Sequence, residues 1–150
     1  MSSAITAPGY YTLKSKKLFI YTDGGARGNP GPAGIGVVIL DGTNKKIKEL
    51  YKYIGEATNN VAEYNALIYG LEEASSLKAD KIVVHLDSEL VSKQLNGEYR
   101  VKNADIKPLF ERAVDILKTF RSFEVKHIER EKNKDADRLA NKAINLADLF

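Results

Sequence analysis

Cysteine is missing from all 150 residues. That excludes disulfides, thiolate metal centres and cysteine nucleophiles, and it fits a reducing cytoplasm. Long apolar runs are missing too. The longest are strand-sized, so nothing reads as a membrane span or a secretory signal. Net charge is small: 23 Lys and Arg against 20 Asp and Glu leave +3. That total permits nucleic-acid binding without arguing for it, because a local basic patch matters more than a small sum. The glycine-rich GGARGNPGPAG lacks the GK[ST] ending of a phosphate-binding loop, which argues against a mononucleotide site. What remains is ordinary for a globular chain, with 43% apolar and 29% charged residues. The length suits one domain with a single core.

Residues 1–16 lack periodicity and read as a flexible or loosely docked leader, leaving 17–150 as the domain. Residues 18–22 (LFIYT) form a short buried strand, after which GGARGNPGPAG reads as a break in regular structure. Strands follow over 35–40 and 47–54, joined by a turn at Asp41-Gly42. Thr58, Asn59 and Asn60 carry side chains suited to capping a helix that runs to about Ser76. One of the two asparagines is expected to be the cap. A fourth strand covers 81–86, a short helix 88–95, a longer helix 106–120 and a fifth strand 122–128. A charged loop (EREKNK) leads to a last helix from about Asp135. The order βββαβααβα predicts an α/β fold: a five-stranded mixed sheet, order 3-2-1-4-5, with strand 2 antiparallel and helices on both faces. Right-handed crossover puts the fourth strand beside the first.

Four acids stand where a carboxylate needs a reason. Asp23 and Asp87 end apolar strands, where an unpaired charge is costly. Glu63 and Asp137 fall roughly 80–90° from the centres of their helices' apolar stripes, at the margin of the buried face. Singly, each has a plain reading as a turn former or as a first-turn acid favoured by the helix dipole. Together they would converge at the carboxyl ends of the parallel strands, where open α/β sheets bind ligands. Converging carboxylates repel unless a cation joins them. Hard oxygen ligands in that number suit Mg²⁺, with Mn²⁺ as the alternative. That points to metal-assisted phosphoryl chemistry.

The motifs YTDGGARGNPGPAG, TNNVAEYNAL, LDSELVSKQLNGEYRVKN and REKNKDADRLA occur in that order. Together they resemble type 1 ribonuclease H over about residues 18–147. The resemblance implies the ribonuclease H-like fold and a metal-dependent endoribonuclease cutting the RNA strand of RNA–DNA hybrids. By motif, it makes Asp23, Glu63, Asp87 and Asp137 the catalytic, metal-binding set. Two ions would be held with substrate bound, and products would carry 5′-phosphate and 3′-hydroxyl ends. It also implies substrate contacts from Gly24, Gly25, Ala26, Arg27, Asn29, Thr58, Asn59, Asn60 and Arg130. Small side chains and backbone groups suit close approach to ribose 2′-hydroxyls across a shallow minor groove. Lys93, Arg100, Lys102 and Lys107 are candidates for phosphate contacts. A cytoplasmic monomer with no membrane association is expected.

The chain departs from that family's pattern in three places. Glu89 stands where many relatives have Gln. His127 lies ten residues before Asp137 but reads as part of the fifth strand, which makes Arg130 and Glu131 better placed in the loop. The long basic insertion of some bacterial members is absent at 97–105, which leaves Lys14, Lys16 and Lys17 as possible compensation. Duplex RNA stays open as a second substrate. The rival readings are a non-catalytic hybrid-binding module and another nuclease of the same superfamily, such as a junction resolvase.

Overall fold

The computed structural model describes residues 16–150. All of the expected leader except Lys16, and with it Lys14, lies outside the described residues. Five strands form one sheet in the order β3-β2-β1-β4-β5. They are β1 (Lys17–Ala26), β2 (Gly31–Asp41), β3 (Lys46–Ala57), β4 (Lys81–Leu86) and β5 (Ser122–His127). β2 is antiparallel to both neighbours, while β4 runs parallel to β1 and to β5. Among the described residues the helices are α1 (Asn59–Ser76), α2 (Glu89–Leu95), α3 (Lys107–Leu117) and α4 (Lys134–Ala147), with a 3-10 turn at Arg130–Asn133 before α4. No helix among the described residues is long and apolar enough to cross a membrane.

Alternation along the strands sorts the two faces. Leu18, Ile20, Val37, Ile39, Ile82 and Val84 point to one side and form the main core with α1 and α3. α4 covers part of the other side and packs chiefly on β2. Its buried face is Ala136, Leu139, Ala140, Ala143 and Ile144, as the periodicity predicts. His85 is half-buried in β4 and stacks on Tyr21, ring centroids 4.2 Å apart.

Three expectations need correction. The glycine-rich segment does not break the chain after Thr22. β1 continues to Ala26, and Asp23, Gly24 and Gly25 pair with Gly36, Ile35 and Gly34 of β2. Ladder bonds on that side hold the glycines extended, so only the segment between Ala26 and Gly31 turns. Asp23 is therefore inside a strand and not at its end. Second, the cap of α1 is Thr58, whose hydroxyl accepts from Val61 N at 3.2 Å, and not Asn59 or Asn60. Third, α1, whose apolar stripe in sequence is Val61, Tyr64, Leu67, Ile68, Leu71 and Ala74, also buries the small residues Ala62, Ala66 and Gly70, whereas Val61 is only partly buried.

Those small residues let helix and sheet backbones come together. A Cβ built on Gly24 would lie 2.1 Å from Ala62 O. One on Gly36 would lie 2.2 Å from Ala136 O and 2.8 Å from Ala140 N. Both are backbone contacts that no rotamer change can relieve. Gly36→Ala is therefore expected to lower stability by about 2–3 kcal/mol in urea unfolding. Gly25→Ala, whose nearest new contact is Asn59 Oδ1 at 3.9 Å, should stay within about 1 kcal/mol of the parent. Equal values for the two variants would show that α4 does not rest on β2 as described.

Candidate active site

A cleft of about 570 Å³ opens between the ends of α1 and α4 over β1 and β4. All four acids line it: Asp23, Glu63, Asp87 and Asp137. The route by which each arrives follows from the packing. Asp23 shares a sheet face with its partner Gly36, and that face lies under α4. The β1/β4 register ends at the pair Tyr21↔His85, so Asp87 follows β4 level with Asp23. Ala62 rests on Gly24 and Ala136 rests on Gly36. The next residue of each helix is Glu63 in the first case and Asp137 in the second.

Three of the acids have a neutral polar neighbour, and two of those neighbours hydrogen-bond them. Ser88, which caps α2, is a neutral neighbour that favours the charged form of Glu63. Asn133 Nδ2 donates to Asp87 Oδ2 at 2.9 Å. Asn141 Nδ2 donates to Asp137 O at 3.0 Å and Oδ1 at 3.3 Å. Asp137 lies close enough to Asp23 to strengthen its hold on a proton. Among the described residues, none of the four is in a salt bridge within 4.0 Å.

The electrostatics follow. Burial, then Asp87, Asp137 and Glu63, push the Asp23 carboxyl up to about 8. Burial raises Glu63 to about 7, with Asp87 adding to the shift while Ser88 and Arg130 oppose it. Such groups keep protons near neutral pH unless a cation replaces them. The donor set is all hard oxygen, which fits Mg²⁺ or Mn²⁺ and suits no soft metal. Among the described residues no three acidic side chains already close around one point. The carboxylates line the cleft without forming a finished cage.

The substrate candidates divide. Gly24, Gly25, Ala26, Arg27, Asn59, Asn60 and Arg130 line the cleft. Asn29 and Thr58 do not line it. Asn29 Oδ1 accepts from Asn59 N at 3.0 Å, and Asn59 Oδ1 accepts from Ala26 N at 2.9 Å. These bonds tie the β1–β2 turn to the start of α1, so Asn29 and Thr58 shape the rim from behind. Arg27 reaches Asn141 Oδ1 at 3.3 Å and Asp148 at 3.8 Å. Glu89 turns away to Lys93 at 3.6 Å. His127 is the last residue of β5 and bonds Asp87 O at 3.2 Å. Neither Glu89, His127 nor Glu131 lines the cleft. Sequence reasoning missed Ser88, Asn133 and Asn141. Only Asn141 left a usable signal, its i+4 spacing from Asp137.

A mixed sheet in this order, with one acid in β1, one just after β4 and two on the helices above them, is a ribonuclease H-like fold with a carboxylate-lined cleft. A family model described as "Reverse transcriptase-like" matches residues 21–143. The ribonuclease HI of Halobacterium salinarum is 41% identical over 129 residues, covering 86% of this chain and 65% of that protein. Its crystal structure superposes with a TM-score of 0.84, over 86% of this chain and 98% of that one. A bifunctional protein of Mycobacterium tuberculosis is 43% identical over 87% of this chain, which spans only 36% of that relative's length. The structure of LC11 ribonuclease H1 in complex with an RNA/DNA hybrid is 47% identical, with a TM-score of 0.82 over 87% of this chain and 98% of that one. The chain belongs to the type 1 ribonuclease H family.

The raised carboxyls make a pH prediction. Asp23 releases its proton near pH 4 when unfolded and near pH 8 when folded. A group bound more tightly to its proton in the folded form leaves stability intact below about pH 4. Stability is then lost as pH rises toward 8, and the loss is constant above that. In metal-free buffer, Asp23→Asn should therefore be more stable than the parent by about 1–3 kcal/mol at pH 8.5, with the difference shrinking toward pH 4. Identical unfolding midpoints at pH 8.5 would contradict the burial of that charge.

Proposed function

We propose that this chain is a divalent-metal-dependent endoribonuclease that hydrolyses the RNA strand of RNA–DNA hybrids. The observation that carries the reading is the gathering of Asp23, Glu63, Asp87 and Asp137 at one cleft, unneutralised by any lysine or arginine within 4.0 Å among the described residues. Beside them runs a rim of backbone and small side chains, Gly24 to Ala26. The hybrid-bound LC11 structure supports the substrate class by kinship.

Asp23 lies among the other three acids and would touch both ions. Glu63 and Asp87 would hold the ion on the leaving-group side, and Asp137 the ion on the water side. Bound there, such ions supply Lewis-acid activation of a water and charge neutralisation at the leaving 3′ oxygen, giving 5′-phosphate and 3′-hydroxyl ends. The protein's own part is orientation. Asn133 and Asn141 hold two of the carboxylates without neutralising them, and Ser88 stands as a neutral neighbour of a third. The Gly24–Ala26 edge would admit a ribose to backbone distance, and the side-chain amides of Asn59 and Asn60 would serve 2′-hydroxyls or base edges. Arg130, close enough to Glu63 to lower its proton affinity, is placed to meet a phosphate. Lys93, Arg100, Lys102 and Lys107 are proposed to meet the DNA backbone, and the protein is proposed to act as a cytoplasmic monomer.

A substrate panel tests this. Labelled RNA–DNA hybrid, duplex RNA, duplex DNA and a four-way junction are incubated with Mg²⁺, Mn²⁺ or chelator. Hybrid cleavage should require metal and leave 5′-phosphate ends. Asp23→Asn should remove at least about a thousandfold of the rate while the far-ultraviolet spectrum is unchanged. Duplex RNA cleavage by the same preparation would widen the substrate class. Hybrid binding without cleavage, or junction cleavage alone, would overturn the reading.

A further inference from the structure

Asn133 occupies the N-cap position of α4. An asparagine there ordinarily turns its side-chain oxygen onto a backbone N–H of the first turn. Here no side-chain cap bond forms. The amide points into the sheet instead, and Nδ2 donates at 2.9 Å both to Thr22 O and to Asp87 Oδ2. The residue is only 2% exposed, and among the described residues its Oδ1 is buried without a partner. A missing cap and an orphaned acceptor are both destabilising. The arrangement accepts both losses, and its visible gain is the placement of two amide hydrogens.

Their two acceptors lie at one joint. Thr22 O belongs to the peptide that leads into Asp23. The parallel β1/β4 pairing has just ended at Tyr21↔His85, and Asp87 follows the last residue of β4. The bridge through Nδ2 closes that gap from above. It fixes one oxygen of Asp87 relative to β1, and the residue still lines the cleft. A neutral amide can orient a carboxylate, yet it cannot discharge it.

We propose that Asn133 is a positioning residue, whose amide holds Asp87 against β1 so that the carboxylates of Asp23 and Asp87 face one cation together. This rests on the cation-binding reading of the cleft given above. Groups that orient metal ligands from behind typically change metal affinity or activity by about 10–100-fold when removed.

Two variants separate this role from a structural one. Asn133→Leu keeps the number and branching of the side-chain heavy atoms and removes the orphaned oxygen together with the donor. Asn133→Ser offers a capping oxygen but is too short to span both acceptors. Without metal, each should melt within about 4 °C of the parent. Mn²⁺ affinity, read from the metal-induced rise in melting temperature, should weaken about 10–100-fold. Cleavage at saturating hybrid should fall in the same range, with KM changed less than about twofold and partial recovery at high Mn²⁺. Adding Asn133→Leu to Asp87→Asn should weaken Mn²⁺ binding little further, since the two act as a unit. Parental Mn²⁺ affinity in a folded variant would overturn the proposal, as would a loss fully additive with Asp87→Asn. Failure of both single variants to fold would also overturn it, by making the residue a structural one. A parent that neither binds Mn²⁺ nor cleaves would instead sink the reading of the cleft, which keeps the two failures apart.

Discussion

Two helix backbones lie directly on sheet glycines, and the cleft depends on that closeness. Ala62 sits on Gly24 and Ala136 sits on Gly36, at separations where any Cβ would collide with a carbonyl oxygen. In each helix the following residue is the one that reaches the cleft, Glu63 from α1 and Asp137 from α4. Backbone-on-backbone contact has no rotamers to vary. It therefore sets the height and rotation of both helices more tightly than interlocking side chains would. Asp23 and Asp87 come from adjacent strands, whose spacing the parallel ladder fixes. Four acids thus come together through two helix–sheet contacts and one ladder.

Electrostatics then explains why this is a site and not a defect. Four carboxylates in a partly buried cleft oppose one another, and Asp23 responds by holding its proton up to about pH 8. A chain selected for stability alone would place a lysine or arginine among them. Instead the neighbours are the neutral Ser88, Asn133 and Asn141, and the two asparagines aim carboxylate oxygens without discharging them. Charge kept at such a cost in stability is charge reserved for a cation.

Much of this was legible in the chain. Alternation and 3.6-residue periodicity are local properties, so the strands, the long helices and the sheet order could be read before any coordinates. The four acids were legible because each sits where apolar neighbours make a charge costly. Two kinds of feature were not legible. Glycines in GGARGNPGPAG were read as a break, because their local preference is for turns, whereas pairing with β2 holds them extended. A second distant contact, the backbone of α4, makes Gly34 and Gly36 necessary, and nothing near them in sequence says which helix will press there. Asn133 was also opaque: within the charged run EREKNK it reads as a solvent-facing loop residue, yet it is nearly the most buried polar side chain described. Its partners, Thr22 and Asp87, are far away along the chain, and only the folded sheet brings them to it.

The central claim is that these oxygens share cations, and diffraction from crystals grown with Mn²⁺ addresses it most directly. Anomalous difference maps should place manganese in the cleft, with Asp23 touching it and at least one of Glu63, Asp87 or Asp137 completing the contact. Well-ordered carboxylates with no manganese among them at millimolar concentrations, or manganese bound only elsewhere on the surface, would contradict it.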